Sequence, residues 1–363
     1  MDKIDKAVVF LDSFDFATYK KKQKVLELIK NPEDLLDAEK LQQNKSELLN
    51  IFSNDEYIIL LNGVKNNNLN LIEKSLNMLK INAISIFSSL YPLSLKNIDT
   101  PPLVIYYKGD ISLLKTNCFA IVGSRHITNY GKVVTEKFAK ELSLSNFTIV
   151  SGLAAGVDTV AHKSTLTNAG KTIAVLAGGL DEIYPSSNTT LANDIVASGG
   201  LLISETRPHK KADMYMFPIR NRIISAISKG ILITEAQEKS GVIHTKNYAL
   251  EYGKDVFAVP GNITSIASVG ANRMIANGQA KAVTSLQDIL DEYNMVCVQK
   301  KQKTENYSML DMLVVDCLKQ GPRTFQELVD LTKLEAKTLN SLLTTLLIRG
   351  IIKKLAGNVY HLI

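Results

Sequence analysis

"AIVGSRHITNYG" spans residues 120–131, and its reading decides the fold. An unbroken apolar run stops at Gly123, Ser124 and Arg125, and a helical pattern follows. A strand that is apolar at every position, not at every second one, is covered on both faces. The same grammar recurs between Cys118 and Val259 in "CFAIV", "FTIV", "TIAVL", "GLLIS", "ILIT" and "VFAV", with helical stretches at 131–144, 155–168, 188–198 and 245–252. This alternation predicts an α/β fold, a doubly wound and mostly parallel sheet.

Ligands of such sheets sit beyond the carboxyl ends of the strands. The segments there are "GSR" (123–125), "SGLAAGVD" (151–158), "AGGLDEIYP" (177–185), "SETRP" (204–208) and "EAQEKSGVIHT" (235–245). Glycine lets the backbone approach a ligand, and N–H groups at helix starts attract anions. Arg125 is expected to lay its guanidinium fork on a phosphate, backed by the amides of Gly123 and Ser124. The competing reading pairs it with Asp158 or Glu235.

Composition sets the frame. The chain has 363 residues, enough for two or three domains, with 45% hydrophobic and 21% charged residues, as in an ordinary globular protein. A formal charge of +6 and a pI near 8.9 suit a polyanionic partner without demanding one. Cys118, Cys297 and Cys317 form no CxxC pair, so no zinc site or disulfide framework is expected. The run "AVVFL" ends at Asp12, too short for a signal peptide, and no stretch reaches the length of a membrane span, which predicts a cytoplasmic protein with no membrane contact.

Several familiar sites are excluded. "AGKT" (169–172) imitates the end of a phosphate-binding loop, but Thr165 stands where that motif needs glycine, and the stretch precedes a strand instead of following one. "GSRHITNYG" lacks the GxGxxG spacing, so no nicotinamide or flavin cofactor is expected, and no HxxxH or HExxH spacing indicates a metal. No cofactor is predicted.

The strongest charge cluster is "RPHKKADMYMFPIRNR" (207–222), where Arg207, Lys210, Lys211, Arg220 and Arg222 face only Asp213, a net of +4. Tyr215 and Phe217 lie among these cations. Cationic grooves with interleaved rings hold unpaired nucleic acid, although isolated aromatics are also common in cores. Pro218 is read as favouring an extended, exposed segment. Asp158 and His162, four residues apart, share a helix face, and the preferred reading is a helix-start carboxylate with a hydrogen-bonded histidine that fixes the loop. Asp181, Glu205 and Glu235 could act as acid or base, which keeps a nucleotide-processing hydrolase as the alternative.

The stretches "YPLSLKNIDTPPLVIYYKGD" (91–110), "AIVGSRHITNYG", "SGLAAGVDTVAHKSTL", "TIAVLAGGLDEIYPSSN", "FPIRNRIIS" (217–225) and "DVFAVPGNI" resemble, in this order, the DNA processing protein A (DprA, or Smf) family. The resemblance implies an extended Rossmann-like domain that binds single-stranded DNA, forms a homodimer and loads RecA recombinase onto incoming strands during natural transformation, with no catalytic residue. It carries over contacts to Phe217, Arg220 and Arg222, with Lys210 or Lys211 in place of a family lysine near Met214. Gly123, Ser124, Arg125, Gly152, Asn221, Ser240, Gly241 and Asn272 complete the expected nucleic-acid-binding set. The chain departs from the family pattern in "SGVIHT" (240–245), which adds His244, and in "GANRMI" (270–275). The phosphoribohydrolase-like alternative would need PGGxGTxxE, where the chain reads "TEAQEKSG".

The expected domains are a helical segment over 1–90, the Rossmann-like domain over 91–296 and, beyond the polar linker "QKKQKTEN" (299–306), a winged helix over 305–363. Within the helical segment, "YKKKQK" reads as a solvated helix face. In the last domain "TFQE" (324) and "TKLE" (332) read as capping boxes, Leu339, Leu342, Leu343, Leu346 and Leu347 as a buried stripe, and "AGN" (356–358) as a hairpin turn. Seven basic against six acidic residues there leave DNA contact and protein contact equally open.

Overall fold

The computed structural model describes residues 1–295, 308–355 and 358–362; Cys297, the linker at 299–306 and residues Ala356 and Gly357 of the expected turn lie outside the described residues. The chain forms two compact units, Met1–Val298 and Gln299–Ile363.

The first unit is built on a nine-stranded sheet: β1 (Asn82–Ser85), β2 (Val104–Gly109), β3 (Cys118–Val122), β4 (Thr148–Ser151), β5 (Thr172–Leu176), β6 (Leu201–Ser204), β7 (Gly230–Ile233), β8 (Asp255–Ala258) and β9 (Lys281–Ala282). Their spatial order is β1-β2-β6-β5-β4-β3-β7-β8-β9. Six of them, β5-β4-β3-β7-β8-β9, reproduce the doubly wound order in which the chain reverses direction between two central strands. That switch point lies between β3 and β7, which pair in parallel from Ala120↔Ile231 to Val122↔Ile233. The β1–β2 and β2–β6 pairs are antiparallel, so the extension lies at one edge. Every residue of β3, β4, β5, β6 and β7 is buried, the physical content of their unbroken apolar runs.

Two expectations change here. Strand β1 precedes the expected start of the sheet domain at residue 91. The N-terminal helices also pack on that edge: Val8 and Val9 of helix Lys3–Asp12 join Ile81, Ala83 and Val104 in one apolar cluster, and the Ser85 amide donates to Asp5 Oδ1 at 2.7 Å. The lysine run is not a free solvated face, since Lys21 pairs with Glu56 at 2.6 Å and Lys22 with Asp12 at 2.7 Å.

The second unit runs helix Met309–Lys319, β10 (Arg323–Thr324), helices Phe325–Thr332 and Ala336–Ile348, then β11 (Ile352–Leu355) and β12 (Val359–Leu362). Strand β10 adds to the β11–β12 hairpin as its third strand. Thr324 and Glu327 form the anticipated capping box. Thr332 does not start a helix: it closes the preceding one, with Lys333 left-handed at φ 57°, and the next helix is capped at Glu335. Leu339, Leu343 and Leu346 are buried, and Gly350 at φ +70° ends the stripe-bearing helix.

Candidate functional site

At the switch point the chain leaves β3 through Gly123, Ser124 and Arg125 and leaves β7 through residues 234–241. A shallow cleft of about 410 Å³ opens there, and its lining includes Arg125, His126, Phe217, Lys239, Ser240 and His244. Local hydrogen bonds fix its floor. The Ser124 amide donates to the Glu235 carbonyl at 2.8 Å, and the Ser124 hydroxyl bridges to the carbonyl and amide of His126. A Cβ on Gly123 would lie 2.5 Å from Val157 Cγ2, so glycine there lets loop and helix close together.

Arg125 is exposed, and among the described residues it forms no ion pair. The two carboxylates offered as its partners are engaged elsewhere. Asp158 accepts from the Gly152 and Ala154 amides at 3.1 and 3.3 Å. Glu235 accepts from the Thr128 amide and hydroxyl at 2.9 and 2.5 Å, tying the cap of helix Asn129–Leu144 to the end of β7. The Arg125 guanidinium instead lies over the ring of Phe217, 5.1 Å from its centroid. This stacking leaves the N–H edges of the fork available to an anion.

The segment 207–222 departs most from expectation. It becomes helical at Met216–Ile227, because proline in a first helical turn gives up an amide that would have had no partner anyway. Pro218 therefore sits in the first turn of a helix instead of extending the chain. Helical rotation then turns Arg220 and Arg222 inward, 6% and 4% exposed, so neither lies on the water-facing rim. Arg220 donates to the carbonyls of Gly152, at 2.7 Å, and of Val175, using its fork to satisfy strand-end oxygens beside Asp158. Burial lowers its pKa to about 10, and the Asp158 carboxylate opposes that shift. Arg222 points away from the cleft and holds both oxygens of Glu205 at 2.7 and 2.8 Å. Arg207 is likewise tied, to Asp15 and to the carbonyl of Ser13. Of the five cations in the cluster, Lys210 and Lys211 remain exposed.

The rest of the expected set divides in the same way. Ser240, Gly241 and Asn221 line the cleft with Arg125 and Phe217. Gly152 lies beneath it, where a Cβ would sit 2.4 Å from an Arg220 nitrogen. Asn272 is elsewhere, its amide clamping the Gly261 backbone in both directions at 3.0 Å. Sequence reasoning passed over His126 and Lys239 as lining residues, although Lys239 directly precedes the "SG" it singled out; it noted His244 without placing it in the site, and it passed over Tyr184, whose ring lies 5.6 Å from that of Phe217.

The acid and base candidates are occupied by structural contacts. His162 is fully buried, and its Nδ1 meets Thr172 Oγ1 at 2.7 Å. That hydroxyl donates to the Ile149 carbonyl, so Nδ1 is the donor to it. Burial, reinforced by Arg220, lowers the His162 pKa to about 3. Glu205 is held by Arg222, Asp181 by His209 and Glu235 by Thr128, so each of these three carboxylates has a structural partner.

Comparison with known proteins places these features in a lineage. Residues 82–294 match the family model of DNA recombination-mediator protein A. The chain is 44% identical over 213 residues to the DNA processing protein DprA of Bacillus subtilis strain 168, covering 58% of this chain and 71% of that protein. It is 42% identical over 214 residues to its Streptococcus pneumoniae R6 counterpart, covering 59% and 75%. The X-ray structure of DprA from S. pneumoniae superposes with a TM-score of 0.67 at 34% identity, over 80% of this chain and 98% of that one. DNA processing protein A from Helicobacter pylori, whose structure was solved for its single-stranded DNA binding mode, superposes with a TM-score of 0.54 at 31% identity, over 59% and 96%.

Proposed function

The chain belongs to the DNA recombination-mediator protein A family, and from that premise we propose that it binds single-stranded DNA in the cleft at the β3–β7 switch point, without catalysing a reaction. The observation that carries this reading is the exposed Arg125 guanidinium stacked on Phe217 at the carboxyl edge of the sheet. Single-strand binding requires a cation for the phosphate and a π-face for the base, and here one contact presents both. Gly123, Ser124, Asn221, Ser240 and Gly241 shape the seat, Gly152 and Arg220 form its buried support, and the exposed Lys210 and Lys211 lie in the segment that leads into helix Met216–Ile227. The single-stranded DNA binding of the H. pylori relative supports the same assignment.

In this reading the protein is a cytoplasmic homodimer that hands the bound strand to RecA recombinase during transformation and recombination. The second unit, helix–strand–helix–helix–hairpin, is a winged-helix accessory. Among the described residues no helix is long and apolar enough to cross a membrane. Fluorescence anisotropy with labelled oligo-dT and with a duplex of equal length, across a salt titration, tests the assignment. Tight, salt-sensitive binding of the single strand and weaker duplex binding are expected; equal affinities, or no salt dependence, refute it.

A further inference from the structure

We propose that Tyr184 is a second base-stacking platform, next along the strand from Phe217, so that the site seats two consecutive unpaired bases. The inference rests on the reading of the cleft as a single-strand site. Tyr184 belongs to the loop that follows β5, is 58% exposed, and among the described residues its hydroxyl makes no hydrogen bond. Among the described residues its one ring contact is with Phe217, at 5.6 Å between centroids and 58° between planes. A tyrosine serving the core would bury its ring and find a partner for its hydroxyl. This one does neither: its ring is open to solvent except where it meets Phe217.

The loop carrying Tyr184 is held in place. The Gly179 amide donates to the Lys210 carbonyl at 2.9 Å, and the His209 amide donates to both Asp181 oxygens at 3.1 and 3.0 Å. These bonds lock the loop carrying Tyr184 to the segment carrying the exposed lysines. Lys211 pairs with Glu182, two residues before Tyr184, at 3.5 Å while staying 81% exposed, a second tie between this loop and the lysine segment. Phe217 thus touches two flat groups, the Arg125 guanidinium and the Tyr184 phenol. The 58° tilt means the two rings face different directions, so the backbone between two seated bases must bend. A single strand bends there readily, whereas a stacked duplex does not offer its bases at all.

The test compares the full-length protein with Tyr184→Ala, Tyr184→Leu and Tyr184→Phe, each checked for unchanged thermal unfolding, using labelled oligo-dT and the same oligomer with one abasic position. Loss of one stacked base corresponds to roughly ten-fold weaker binding. Tyr184→Ala and Tyr184→Leu should show that loss with an unchanged salt slope, because no phosphate contact is removed, and Tyr184→Phe should restore it. The abasic position should weaken the unmodified protein but add little in Tyr184→Ala. If Tyr184→Ala binds like the unmodified protein while Arg125→Ala is weakened, Tyr184 is no platform and the single-strand reading stands. If the unmodified protein shows no salt-sensitive affinity for oligo-dT, both fall together.

Discussion

The Arg125 guanidinium rests over the Phe217 ring at 5.1 Å, joining the loop after β3 to the first turn of helix Met216–Ile227. Arg125 is exposed and Phe217 half-buried, and a cation–π pair at an exposed site is worth about 0.5–1 kcal/mol, enough to orient the fork but not to hold it against an incoming phosphate. In the proposed reading, phosphate and base meet two side chains already placed side by side.

Arg125→Ala should weaken oligo-dT binding irrespective of sequence. It should also lower the salt slope by about 0.7, the contribution of one phosphate contact on a single strand. Anisotropy at several salt concentrations reads both quantities. An unchanged slope would mean that the fork meets no phosphate.

Phe217→Ala should separate from Arg125→Ala in kind. Removal of a stacking face costs about 1–3 kcal/mol of binding. The salt slope should stay near that of the unmodified protein, because the phosphate contact survives.

Arg222 provides the converse test, because it is enclosed with Glu205 and faces away from the cleft. Arg222→Met strands a carboxylate that water only partly reaches, and should cost about 1–3 kcal/mol of stability by denaturant titration. Adding Glu205→Leu should recover much of this. DNA affinity per folded molecule should not move in either variant; a weakened salt slope in Arg222→Met would return Arg222 to the binding surface.

Gly152→Ala should damage the support of the site. The new methyl would lie 2.4 Å from Arg220 Nη2, in a guanidinium anchored through Nη1, and 2.8 Å from Asp158 Oδ2, which accepts from the Gly152 amide. Overpacking of this kind costs about 1–3 kcal/mol. A lower melting temperature together with weaker oligo-dT binding is expected, and an unaltered melting temperature would show that the loop yields.

His162 should make the fold acid-sensitive. Burial lowers its pKa to about 3, whereas an unfolded histidine titrates near ~6.5. The unfolded chain thus takes up a proton that the folded chain refuses, so this contribution is complete above pH ~6.5 and is lost as the pH falls towards 3. The loss at pH ~5 is about 2 kcal/mol. Denaturant titrations of the protein and of His162→Leu at several pH values should show the slope in the first and a flatter profile in the second.

Much of this was legible in the chain itself. Unbroken apolar runs require a sheet covered on both faces, and helices between them require parallel strands, so the architecture and the edge bearing Gly123, Ser124 and Arg125 follow from local pattern. The Thr324 capping box was equally plain, since both its partners lie within one turn. The neighbouring "TKLE" misled because Thr332 already belonged to the preceding helix, a competition that a four-residue motif does not display.

Which cations face water was settled only in three dimensions. Arg220 and Arg222 stand two residues apart in a basic stretch, yet one ends on carbonyls of Gly152 and Val175 and the other on Glu205. The pairing of Phe217 with both Arg125 and Tyr184 is equally remote along the chain. Charge and aromaticity are properties of a residue, and the sequence determines them. Exposure depends on the helical phase that begins at Met216 and on partners brought in by sheet order, and those belong to the fold as a whole.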